Sequence, residues 1–64
     1  MRVYALTELG KKVTRNMDGG SDEMRILNYL RDNKTATDDQ LDTVGERWLV
    51  RGLKKRVLIK ELTQ

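Results

Sequence analysis

Apolar residues recur at helical spacing most clearly in SDEMRILNYLRDN, residues 21–33, where Met24, Ile26, Leu27 and Leu30 fall on one side of a helix. Ser21 is a good N-cap, Asp22 and Glu23 suit the positive end of the helix dipole, and Asn33 is a residue type that can close a helix in a left-handed conformation. The pattern predicts a helix here. A short helix over about 38–43 follows from Thr37 and Gln40, the two halves of a capping box with two acids between them. Gly45 then makes a turn. A third helix runs from about Glu46 to Arg56, with Leu49, Val50, Leu53 and Val57 on one side. RVYALT (2–7) and VLIKELT (57–63) are rich in strand formers. ELGKKVTR (8–15) reads as the start of a short helix weakened by Gly10. NMDGGSD (16–22), with its paired glycines, reads as a loop inside one domain, because neither side could fold alone.

These elements predict a single α+β domain over residues 1–64, with three principal helices. A strand at 57–63 left alone would be an unpaired edge, so the N-terminal strand is expected to pair antiparallel with it in a small two-stranded sheet. Composition narrows the picture. Hydrophobic residues make up 38% and charged residues 36% of 64, with the apolar ones clustered, which indicates a folded chain and not a disordered one. There are no cysteines and no histidines. That excludes disulfides and thiolate metal sites, and removes the commonest general base. The apolar runs are too short to span a membrane, and MRVYALTELG lacks the apolar stretch of a signal peptide. The expected location is the cytoplasm, nucleoid or nucleus, with no secretion.

The net charge of +3 is unevenly distributed. Residues 1–17 hold Arg2, Lys11, Lys12 and Arg15 against Glu8; residues 18–45 hold seven acids and three bases; residues 46–64 hold six bases and two acids. On a helical wheel at about 100° per residue, Arg47, Arg51, Lys54 and Lys55 form a cationic stripe opposite Leu49, Val50 and Leu53. Arg56 falls apart from it. Any amphipathic helix has a charged outer face, yet most mix signs to gain pair energies, and this stripe contains no acid of its own. A phosphate-facing role accounts for it better than a solvated face does.

The order of helix, short helix, longer basic helix and strand resembles a winged helix-turn-helix domain, and LVRGLKKRVLIKELT is similar to the end of that family's recognition helix and the strand after it. Val57 stands where the family commonly has glycine. VYALTELGKKV (3–13) resembles the Y-x-LT-x-x-G segment of winged-helix regulators of the PadR and MarR type, at Tyr4, Leu6, Thr7 and Gly10. In that family it follows the wing; here it precedes the first predicted helix. Either it stands in for the missing half of the wing, which is the favoured arrangement, or it belongs to a tandem array or partner chain. The resemblance implies a small transcriptional regulator whose third helix enters the DNA major groove.

The implied contacts are Arg47 and Arg51 to base edges and Lys54, Lys55 and Lys60 to phosphates, with Arg2, Lys11, Lys12 and Arg15 approaching from the N-terminal segment. DNA is the expected partner ahead of RNA, since three aromatics are too few for a stacking platform. Trp48 is expected to cap the edge of the core, with base stacking as its alternative. Tyr4 and Tyr29 are expected to pack. No cofactor and no enzymatic activity are expected. Asp38, Asp39 and Asp42 lack the spacing of a calcium loop and suit a helix N-terminus instead. The rival reading is a protein-docking winged helix, and a homodimer fits a chain with so small a core.

Overall fold

The computed structural model describes residues 2–16 and 21–62, with side chains at 2–14 and 21–62. Its elements are β1 (Val3–Leu6), α1 (Glu8–Asn16), α2 (Asp22–Asn33), β2 (Thr35–Thr37), α3 (Asp38–Asp42), α4 (Arg47–Lys55) and β3 (Ile59–Leu62). The chain is an α+β domain in which a three-stranded antiparallel sheet, in the order β2-β1-β3, packs against helices. Residues 17–20 of the expected loop lie outside the described residues.

The pairing of the N- and C-terminal strands is present, with Val3 opposite Leu62 and Leu6 opposite Ile59. The expectation of two strands is corrected to three, and that of three principal helices to four among the described residues, because α1 is as long as α4. Thr35–Thr37 pairs antiparallel with β1, Tyr4 standing opposite Ala36, and the Asp38 amide donates to the Arg2 carbonyl to extend the ladder. Three residues between a helix end and a capping box have no strand signature of their own; only pairing with β1 makes them a strand.

Side chains alternate across a sheet and directly paired residues share a face. Tyr4, Leu6, Ala36 and Ile59 therefore face inward, and all four are buried. They join Met24, Ile26, Leu27 and Leu30 of α2, Leu41 of α3, and Leu49, Val50 and Leu53 of α4 in one core. The outer face carries Val3, Ala5, Thr35, Lys60 and Leu62.

Local chemistry sets the element boundaries. The Ser21 hydroxyl accepts from the Met24 amide at 3.2 Å and starts α2. Thr37 and Gln40 form both halves of the capping box on α3. At the other end of α2, Asn33 does not take the left-handed position; it stays helical and its side-chain amide donates to the Tyr29 carbonyl at 2.9 Å. Lys34 turns the chain instead, with φ 69° and ψ −48°.

α1 forms despite Gly10, because Gly10 serves packing. A Cβ there would overlap the Leu58 carbonyl oxygen and sit 3.1 Å from Leu6 Cδ2. Thr7 completes this junction. Its hydroxyl accepts from the Gly10 amide at 3.1 Å and donates to the Val57 carbonyl at 2.6 Å, while its amide donates to the Leu58 carbonyl at 3.1 Å. The segment Thr7–Gly10 thus clasps the chain where α4 passes into β3.

Candidate nucleic-acid interface

α4 is built to present one face and bury the other. Leu49, Val50 and Leu53 enter the core, while Arg47, Arg51, Lys54 and Lys55 are exposed. The helix ends in a Schellman closure: the Leu58 amide donates to the Leu53 carbonyl and the Val57 amide to the Lys54 carbonyl, each at 3.0 Å. Val57 occupies the left-handed position of that motif, with φ 63°. The helix exit lies where the resemblance puts a glycine, and a valine adopts the glycine's conformation.

The stripe is continuous in space, but it is not free of acid. Asp42, from α3, receives Arg47 Nη2 at 2.9 Å and Arg47 Nε at 2.9 Å and 3.2 Å. Hydrogen bonding to Asp42, and then its charge, raises the Arg47 pKa further above the ordinary arginine value. Glu61, from β3, receives Lys54 Nζ at 3.0 Å and lies 3.8 Å from Arg2 Nε. Two of the four stripe cations are thus engaged by carboxylates brought in from neighbouring elements. Arg51 and Lys55 have no ion-pair partner among the described residues. Arg56, set apart on the wheel, pairs with Glu23 and ties the exit of α4 to α2.

Arg2 faces the same side of the sheet as Tyr4, and a small cleft of about 250 Å³ brings Arg2, Arg47 and Arg51 beside Asp38 and Asp42. The N-terminal strand therefore does contribute a cation beside α4. Lys60 does not join it. It pairs across from Ala5 and projects from the outer face, where it borders a separate cleft with Lys11. Lys12 is exposed on α1 and makes no ion pair among the described residues. The Arg15 side chain lies outside the described residues.

Trp48 is corrected outright. It is 66% exposed and caps no core; its indole N–H donates to Glu46, two residues back. It stands in the first turn of α4, on the exposed side, and Leu49 and Val50 fill the interior position in its place. Tyr4 packs in the core as expected, and Tyr29 lies partly buried against it.

No helix among the described residues is long and apolar enough to cross a membrane. Compared with protein-family models, curated proteins and solved structures, the chain matches none.

Proposed function

We propose that this chain is a winged helix-turn-helix module that binds double-stranded DNA through α4. The observation that carries this reading is the exposed, unpaired state of Arg51 and Lys55 on the side of α4 opposite its buried leucines, among the described residues. Arg51 is the base-reading arginine; Lys55 neutralises phosphate. Arg47, Lys54 and Arg2 flank them, each with an exposed cationic side chain paired to a partly buried carboxylate, and in this reading these cations turn to phosphate when DNA binds. In this reading the ribbon of β1 and β3, which meets α4 through β3, serves as the wing.

Titration of duplex DNA against the chain, followed by amide shifts, tests this reading. Shifts should gather on α4 and on the N-terminal end of β1. Neutralising about four phosphates gives a log–log salt slope of about −3 to −4. Arg51→Glu with Lys55→Glu should abolish binding and leave the melting temperature unchanged, since both side chains are exposed and unpaired. Binding that ignores salt, or survives the double reversal, would remove the proposal.

The exposed Trp48 favours a second reading, a docking surface for a protein, because an uncovered indole on a helix face is a common anchor. Trp48→Ala would then abolish partner capture, while Arg51→Glu would leave it intact.

A further inference from the structure

A cleft of about 550 Å³ opens between α1, the C-terminal end of α2 and residues of β1 and β3, with no described residue of α4 in its lining. Its size falls within the range of small-molecule sites. Leu62, which is exposed, and the aliphatic stems of the basic side chains supply apolar surface over the buried Leu6 and Leu30, and among the described residues the lining holds no aromatic ring and no acid. Four cations surround it: Lys11 from α1, Arg31 and Lys34 from the end of α2, and Lys60 from β3. The helix dipole gives Arg31 and Lys34 a local reason to be there. Lys11 and Lys60 come from other elements and share no such reason. Lys11 and Arg31 each have an acidic neighbour, Glu8 and Asp32, whereas Lys34 and Lys60 have no ion-pair partner among the described residues.

Lys34 adds an independent observation. Its φ of 69° with ψ −48° is a conformation that costs a non-glycine residue about 1–3 kcal/mol. Strain of that kind persists where the surrounding structure fixes it, and it clusters at ligand-binding sites. Glycine would turn the chain here without strain, and it would remove one of the two unpaired cations from the cleft.

We propose that this cleft binds a small aliphatic anion, of the class of a medium-chain carboxylate. The alkyl chain lies along Leu62 and the stems of the basic side chains, and the carboxylate sits between Lys34 and Lys60. An aliphatic lining selects an alkyl chain over a planar ring, which would look for an aromatic face to stack on. The cations select a carboxylate over an alcohol. This assignment does not rest on the nucleic-acid reading, because no described residue of α4 lines the cleft.

The test uses the full chain and decanoate below its micelle concentration, at constant ionic strength, with decanol as the uncharged control. Decanoate should give saturable shifts at Lys34, Lys60, Leu30 and Leu62, and decanol should not. Lys34→Gly with Lys60→Gln should weaken decanoate binding about tenfold through lost charge. Because Lys34→Gly relieves the backbone, the melting temperature should not fall, which separates lost binding from lost folding. The proposal is overturned if decanoate gives no saturable shift, or if decanol matches it. It is also overturned if duplex DNA shifts the same four residues and decanoate does not, because the cations would then be a phosphate-contacting surface.

Discussion

Val57 sits with φ 63° at the end of α4, and its side chain is 61% exposed. A β-branched residue in that conformation is strained by about 1–2 kcal/mol, while glycine loses about 0.5–1 kcal/mol more conformational entropy on folding. The strain outweighs the entropy, and no core contact is lost. Val57→Gly should therefore stabilise the domain by about 1 kcal/mol, seen as a rise in melting temperature of about 4–8 °C. Gly10 is the opposite case. Alanine would improve helix propensity by about 1 kcal/mol, but its Cβ would meet the backbone of Leu58, which cannot rotate away. Overpacking of this kind costs about 1–3 kcal/mol or more, so Gly10→Ala should lower stability in chemical denaturation. By sequence, Gly10 is a weak point of a helix. Its use, a close approach to a residue far along the chain, is invisible until the chain is folded.

The helices were readable because their signals are local. Apolar spacing marked α2 and α4, and the capping box marked α3, a helix of only five residues. So short a helix depends heavily on its cap. Thr37→Ala removes the acceptor for the Gln40 amide and should cost about 1 kcal/mol, measured as a shift in denaturation midpoint. β2 was not readable, because Thr35–Thr37 becomes a strand only through its long-range partner. The same limit applied to the interface. The wheel correctly placed Arg47, Arg51, Lys54 and Lys55 on one exposed face. It could not show that Asp42 and Glu61, from other elements, would reach two of them. Trp48 was misread because wheel position alone does not decide which border residue a small core will cover.

Across the whole molecule, β1 holds the sheet together. β2 and β3 lie on either side of it, so without β1 neither has a partner in the sheet. Tyr4 and Leu6 also carry part of the inner face. Removing residues 1–6 should therefore abolish the cooperative thermal transition followed by circular dichroism, although α2, α3 and α4 all lie outside the deleted segment. A cooperative transition in the shortened chain would show that the helices form a sufficient core by themselves. The fold also separates the basic residues of the two ends of the chain. Arg2 lies with α4, while Lys11 and Lys60 border the other cleft. Local spacing and capping chemistry, legible in the sequence by itself, determined α2, α3 and α4, the two terminal strands and the outward cationic edge of α4. Only the tertiary structure decided the third strand, the partners of each cation and the use of Gly10, because these depend on contacts between residues far apart in the chain.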